Sequence, residues 1–189
     1  MLSSRRLALV LALAAGTLAL WPADARLQDA ASRYDQYRER FHGTWVLAMG
    51  PEAAQRSIDR AIERAVGAMS FFVRGVARPL LRDNTPLNRR IVLEFRGDGR
   101  LRCRFPDTGF DATTRIGRTE RARTQDGDPM RVTHRFRDDG RLEQVFQAER
   151  GTRWNVYRRT GDDGITVAST VQGEMMPQPM RFSLRYRRR

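Results

Sequence analysis

From residue 89 onwards, apolar and charged residues alternate in short runs separated by turn-forming residues. In residues 100–105, for example, Leu101, Cys103 and Phe105 alternate with arginines, and a period of two places them on one face of a strand. Turn-forming sequences recur at residues 97–99, 106–109, 126–128, 138–140, 150–151 and 161–164. This pattern predicts a mainly β fold: an antiparallel up-and-down β-barrel of about 8–10 strands, apolar inside and cationic outside. A barrel that spans a membrane is excluded because its outer face would put arginines into lipid.

A helical period precedes these strands and follows a first predicted strand at residues 41–48. Apolar side chains recur at every third or fourth position of residues 51–82, namely Ile58, Ile62, Val66, Met69, Val73 and Val76. That spacing predicts one apolar helix face, and Pro51 is typical of a helix start. Gly75 and Pro79 predict either a kink or a split into two helices. The barrel is therefore predicted to carry a helical insert after its first strand.

The N-terminus has the layout of a secretory signal peptide. Arg5 and Arg6 precede an apolar run over residues 7–20, and Ala23-Asp24-Ala25 fits an Ala-x-Ala cleavage site. The run is shorter than the roughly 18–20 residues that span a bilayer. We predict a periplasmic or secreted bacterial protein without a transmembrane helix after processing. Its predicted parts are a signal peptide over residues 1–25, an N-terminal segment with a short helix over 26–40, and one barrel domain over 41–189 with the insert at about 51–82.

The net charge and the sequence motifs limit the classes of function that fit this chain. The chain has 35 basic and 22 acidic side chains, a net charge of +13, and all of its basic residues are arginines. Such a surface attracts anionic partners, although export argues against nucleic acid. A single cysteine, Cys103, excludes an internal disulfide. The sequence has no recognisable metal-ligand spacing, cofactor-binding loop or nucleophile motif, so it predicts no cofactor, no metal and no enzymatic activity.

The first predicted strand carries the sequence Phe41-His42-Gly43-Thr44-Trp45. A Gly-x-Trp on the first strand, then helices, then a run of hairpins over residues 41–188 resembles the calycin superfamily, which includes lipocalins and fatty-acid-binding proteins. Helices directly after the first strand resemble the fatty-acid-binding branch. The resemblance implies a barrel with a small ligand inside. Fatty-acid-binding proteins hold the ligand carboxylate with an Arg-x-Tyr on the last strand, where this chain has Arg185-Tyr186-Arg187, so that site is not carried over.

Hairpin pairing predicts which side chains line the interior, because directly opposed residues point to the same face. A three-residue loop at residues 138–140 pairs Val132 with Phe146 and His134 with Gln144. His134 is then either a group that orients a ligand or ligates haem, or a buried side chain hydrogen-bonded to Gln144. The second arrangement is the commoner one in protein interiors, and we adopt it.

Two registers are open at the next turn. If Gly151 takes the left-handed position of a three-residue loop, Trp154 faces inward. A two-residue loop would instead turn Arg153, Asn155 and Tyr157 inward and create a polar, cationic cavity suited to a carboxylate. The first register is preferred because it buries more apolar surface. The predicted lining residues are then Phe95, Val132, His134, Phe136, Gln144, Phe146, Trp154, Phe182 and Tyr186.

Two functions fit this barrel. The first is an exported carrier or sensor for a small apolar or amphipathic molecule held inside. The alternative is an envelope interaction module that binds anionic glycans, lipid headgroups or an acidic protein through its arginine-rich surface. The interior discriminates between them, because a cavity on the order of several hundred Å³ favours the carrier and a solid core favours the surface module.

Overall fold

The computed structural model describes residues 23–124 and 126–189. Residues 1–22, with most of the predicted signal peptide, lie outside the described residues, so export stays a prediction. The described residues form three helices and ten strands. In chain order they are α1 (Ala23–Phe41), β1 (Gly43–Leu47), α2 (Pro51–Gly67), α3 (Phe71–Asp83), β2 (Arg90–Phe95), β3 (Arg100–Phe105), β4 (Phe110–Arg115), β5 (Thr119–Arg123), β6 (Pro129–Phe136), β7 (Leu142–Ala148), β8 (Gly151–Thr160), β9 (Gly164–Gly173) and β10 (Met180–Arg188).

The ten strands form one antiparallel sheet that curls into a nearly closed barrel. Their spatial order is β4-β3-β2-β1-β10-β9-β8-β7-β6-β5, so β1 joins β10 and the single seam lies between β4 and β5. Along β10, buried apolar residues alternate with exposed polar ones, as a sheet with one buried face requires. The predicted fold class, a mainly β up-and-down barrel of 8–10 strands with helices after the first strand, is confirmed.

Helix α1 precedes the barrel and closes its lower end, which we define as the end with the β2–β3 and β6–β7 turns. The Tyr34 hydroxyl donates to the carbonyl of Arg100 at 2.9 Å, and the Tyr37 hydroxyl donates to the carbonyl of Arg137 at 2.5 Å. The Tyr37 ring stacks on Phe136 with 3.8 Å between ring centroids. Aromatic spacing along one helix face thus fixes α1 beneath the barrel.

Helices α2 and α3 connect β1 to β2 and cover the upper end. Six apolar residues of α2 are buried, whereas α3 has none. The split between them lies at residues 68–70, where the Arg74 side chain donates to the carbonyls of Gly67 at 3.0 Å and Met69 at 2.9 Å and so satisfies the end of α2. Pro79 lies inside α3, so neither Gly75 nor Pro79 causes the split. None of the described helices combines the length and apolar character needed to cross a bilayer.

The β6–β7 hairpin has the predicted register. The β7–β8 hairpin has the register with a two-residue loop, not the preferred one with a three-residue loop. His134 lies opposite Gln144, as predicted. Ala148 pairs with Gly151 around a two-residue loop, which turns Arg153 inward opposite Phe146.

The prediction that Trp154 lines the interior is therefore wrong. Trp154 lies on the outer face, opposite Val145 and Thr170. The reason is the role of Gly151, which is absent from the glycines with positive φ and so does not make the left-handed turn. A Cβ there would lie 2.8 Å from the carbonyl oxygen of Gln172, so glycine serves the close approach of β8 to β9 instead.

Candidate ligand-binding site

Four polar side chains form a continuous row across the inner wall of the barrel. His134, Gln144, Asn155 and Ser169 are directly opposed partners on the consecutive strands β6 to β9, so all four point inward. Their exposed fractions are between 0% and 3%. We call these four residues the polar row, and buried polar groups of this kind require hydrogen-bond partners.

Hydrogen bonds satisfy the polar row and assign the protons within it. The Gln144 side-chain oxygen accepts from the Tyr157 hydroxyl at 2.7 Å and the Asn155 amide at 3.2 Å. Its nitrogen therefore donates to His134 Nε2 at 2.8 Å, and His134 Nδ1 carries the proton and donates to Thr114 Oγ1 at 2.7 Å. Burial lowers the pKa of His134 to about 3. His134 is thus a neutral side chain with both ring nitrogens engaged, which leaves none free for haem.

Arg153 points inward one row above the polar row. Its Nε donates to Asn155 Oδ1 at 3.0 Å, and its guanidinium carbon lies 5.8 Å from the centre of the Phe182 ring. No carboxylate among residues 23–124 and 126–189 forms an ion pair with it. Burial lowers the pKa of Arg153, yet a guanidinium stays protonated in proteins. The upper interior therefore contains a positive charge without an anionic partner.

A small cavity lies beside Arg153. Its volume is about 10 Å³, room for about one water molecule. Arg153, Asn155, Ser169 and Tyr186 form its polar wall, and the apolar wall includes Phe105 and Leu184. The Tyr186 hydroxyl donates to the carbonyl of Asn88 at 2.8 Å, and burial raises its pKa. Among residues 23–124 and 126–189 the interior is nearly solid, and this cavity is far smaller than preformed ligand pockets, which are on the order of several hundred Å³.

Four of the sequence-predicted lining residues lie at the upper level. Phe146 is directly opposite both Arg153 and Val132, Phe182 lies beneath the guanidinium, and Tyr186 lines the cavity. The structure thus brings Val132, Phe146, Phe182 and Tyr186 into the chamber around Arg153, which we call the upper chamber.

Two further predicted residues lie far from Arg153, at the lower end. The rings of Phe95 and Phe136 stack with 6.3 Å between centroids. Tyr34 of α1 contacts both rings, at 5.6 Å from Phe95 and 6.2 Å from Phe136. Together with Tyr37 they form a lower aromatic cluster that fills the bottom of the barrel.

Sequence reasoning missed Ser169 and placed Arg153 and Asn155 only in the register that was not preferred. One signal could have identified all three. Strand β8 can place either its polar residues or its apolar residues on the inner face, beside Gln144. Only the first arrangement puts polar residues opposite one another on β7, β8 and β9. Matching hydrogen-bonding partners across strands is here a better guide to register than burying the largest apolar side chain.

The remaining titratable groups of the interior, Cys103 and Tyr157, have raised pKa values. Burial raises the pKa of Cys103 to about 12, so the thiol is protonated at neutral pH and is a poor nucleophile. Burial also raises the pKa of Tyr157. The described part of the chain holds no group of three or more side chains suited to a metal ion. What the upper chamber offers is one cation, several hydrogen-bonding groups and aromatic surface.

The outer surface has three features that bear on partners. On the strands, several arginines are paired, as Arg102 is with Asp111 at 2.5 Å. On α3, Phe71 and Phe72 are 80% and 90% exposed. Between α2 and β10 lies an open groove of about 270 Å³, lined in part by Arg64 and Arg181.

Comparison with known proteins gives similarity of fold. No family model matches the chain, and no curated protein shows significant sequence similarity to it. Similar solved structures include Echinococcus granulosus fatty-acid-binding protein 1, with 13% identity and a TM-score of 0.47 over 79% of this chain and 98% of that one. A Schistosoma mansoni fatty acid binding protein in complex with arachidonic acid has 18% identity and a TM-score of 0.48 over 79% and 96%. The fatty acid transporter REP1-NXSQ has 16% identity and a TM-score of 0.48 over 78% and 95%.

Proposed function

We propose that this protein is an exported carrier or sensor that binds a small amphipathic anion in the upper chamber, with Arg153 holding the charged group. The observation that carries this proposal is the inward-facing guanidinium without an anionic partner in the described residues. Removing a charge from water costs several kcal/mol unless another charge or hydrogen bonds compensate. A carboxylate or phosphate would supply two charge-assisted hydrogen bonds to such a fork.

The surroundings of Arg153 suit both halves of an amphipathic ligand. Ser169 and Tyr186 lie at the polar wall of the cavity. Their hydroxyl protons are donated to Asn155 Oδ1 and to the carbonyl of Asn88, so the Arg153 guanidinium is the donor there without a protein anion among the described residues. Phe105, Phe146 and Phe182 provide aromatic surface for an apolar part of the ligand.

Binding requires the upper chamber to expand beyond about 10 Å³. Helix α3 has no fully buried residue, although its partly buried Val73, Ala77 and Leu81 pack against the core. The six buried residues of α2 hold that helix more firmly. Movement of α3 is therefore less costly than movement of α2 as a way to admit a ligand.

Export is part of the proposal and has its own test. Cleavage after Ala25 would leave Tyr34 and Tyr37 in place beneath the barrel, so the mature chain keeps its lower closure. The N-terminal sequence of protein recovered from the periplasm should begin at Arg26. Protein found in the cytoplasm with Met1 intact would contradict export.

Ligand binding is tested with acids matched to neutral and cationic analogues. Isothermal titration should show that octanoate binds and that octanol and octylamine bind at least tenfold more weakly, because only the acid pairs with Arg153. The variant Arg153→Gln should lose this preference. The matched control is Arg158→Gln, which removes an exposed arginine from the same strand and should bind octanoate like the unmodified protein. Equal affinity for the three analogues would contradict the proposal.

A second candidate function, the envelope interaction module, is favoured by two observations. The first is the nearly solid interior, which by the criterion of interior volume favours a surface module over a carrier. The second lies on the outer surface. The groove between α2 and β10 is larger than the interior cavity and carries Arg64 and Arg181. Anionic vesicles should then bind the protein with an affinity that falls steeply with salt, and the double variant Arg64→Gln, Arg181→Gln should bind them more weakly. Salt-insensitive binding, or none, would remove this candidate.

A further inference from the structure

The lower third of the barrel interior is closed by α1. Tyr37 stacks on Phe136 at 3.8 Å, and its hydroxyl is bonded to the carbonyl of Arg137. Phe41 is fully buried. A ligand could enter this level only by displacing aromatic side chains that hold α1 in place, at a cost of about 3–5 kcal/mol for each large side chain removed from its packing.

The polar row lines the interior on strands β6 to β9. Gln144 alone joins His134, Asn155 and Tyr157 through three hydrogen bonds. An apolar chain that passed through this level would separate these groups, and each buried group left unpaired costs about 1–3 kcal/mol. An acyl tail is therefore kept from passing along this wall below Arg153.

The upper direction is the shortest way out of the interior for the apolar part of a ligand. Arg153 lies two residues from the start of β8 at Gly151, which is about 7 Å of strand. Its cross-strand row continues through Val171 to Met180, where α2 packs on β10. A tail that starts at Arg153 thus reaches the rim of the barrel after a few carbons and gains no further burial beyond it.

From these three observations we infer that the barrel selects compact anions, that is short-chain or single-ring carboxylic acids, and not long-chain fatty acids. The inference rests on the proposed function, because it takes Arg153 as the binding site of the carboxylate. What it adds to the proposed function is a limit on ligand size, which is set by α1 and the polar row in the lower interior. The carboxylate lies at the floor of the chamber and the apolar part points toward α2 and α3.

A chain-length series tests the inference. Titration with butanoate, hexanoate, octanoate, decanoate and hexadecanoate should show affinity rising about fourfold per added methylene, the equivalent of about 0.8 kcal/mol. The rise should end near octanoate, and hexadecanoate should bind no more than about twofold more tightly. A rise that continues to hexadecanoate overturns the inference while leaving the proposed function intact. Absence of binding by every acid in the series overturns both.

Crosslinking tests the direction of the tail independently of affinity. Octanoate with a photoreactive diazirine at its terminal carbon should label residues 51–83, which form α2 and α3, in competition with unlabelled octanoate. The control variant Arg158→Gln should give the same pattern, and Arg153→Gln should abolish labelling. Specific labelling of residues 34–41 in α1 would show that the tail points downward and would overturn the inference.

Discussion

Replacing Arg153 by methionine should make the protein more stable and at the same time unable to bind an anion. The substitution removes one hydrogen bond from a charged donor, about 1.5–3 kcal/mol, and a cation–π contact with Phe182, about 0.5–2 kcal/mol. It also removes the partial desolvation of a charge without an anionic partner in the described residues, which is smaller than the several kcal/mol of a fully buried ion because Arg153 is half-buried. Asn155 Oδ1 is not left unpaired, because it also accepts from Ser169 at 2.8 Å. Methionine fills a similar volume with apolar surface.

The net expectation for Arg153→Met is a gain of about 1 kcal/mol in the free energy of unfolding, at the low end of the range seen when buried ion pairs are replaced by apolar groups, because Arg153 is only half-buried. For a chain of this size that corresponds to about 2–4 °C in Tm for each kcal/mol. Octanoate affinity should fall by about tenfold or more, because a charge-assisted contact is lost.

Urea denaturation and thermal unfolding of the ligand-free protein measure the first effect, and titration measures the second. Arg158→Met is the matched control, since Arg158 is exposed on the outer face of the same strand and its replacement should change neither quantity appreciably. The reasoning fails if Arg153→Met is less stable than the unmodified protein, because the guanidinium would then be a structural group. It fails equally if the variant binds octanoate normally.

Three further predictions test other parts of the structure. Because burial holds the pKa of His134 near 3, below about 6.5 in the unfolded chain, its contribution to stability is complete above pH 6.5 and is lost as pH falls toward 3. Between pH 7 and pH 5 the free energy of unfolding should drop by about 2 kcal/mol more in the unmodified protein than in His134→Gln, and equal drops would refute this. Tyr37→Ala should cost about 3–5 kcal/mol and Tyr37→Phe only about 1 kcal/mol, measured by urea denaturation; similar losses would show that ring stacking is unimportant. Gly151→Ala should lower Tm because its Cβ meets the Gln172 carbonyl, whereas Gly75→Ala, where nothing lies within 4 Å, should raise it slightly.

Much of the barrel can be predicted from the sequence, because the alternation and turn signals that determine it are local. The alternation of Leu101, Cys103 and Phe105 with arginines has only one stable arrangement, with the arginines in water. Turns at residues 97–99 and 138–140 then fix which strands are neighbours. The three-residue loop at 138–140 also set the pairing of His134 with Gln144, which the structure has.

The β7–β8 register could not be obtained in the same way, because the deciding contact is not local. Gly151 permits a two-residue loop or a three-residue loop when only β7 and β8 are considered. The choice involves β9, since the Gln172 carbonyl oxygen lies only 2.8 Å from the position that a Cβ at Gly151 would occupy. The split between α2 and α3 depends likewise on a side chain from the next helix, Arg74, and not on Gly75 or Pro79.

The register that the chain adopts is costly in a way that bears on function. Turning Trp154 inward would have buried one of the largest apolar side chains and left Arg153 in water, a difference of about 1.5–3 kcal/mol from the indole alone. The chain instead keeps Trp154 outside and gives Arg153 a complete set of supports: Asn155 holds its Nε, Ser169 and Gln144 hold Asn155, and the polar row forms the floor beneath it. The hydrogen bonds of the polar row lead up to one cation without an anionic partner in the described residues, and the proposed function takes an anion as the group that completes them.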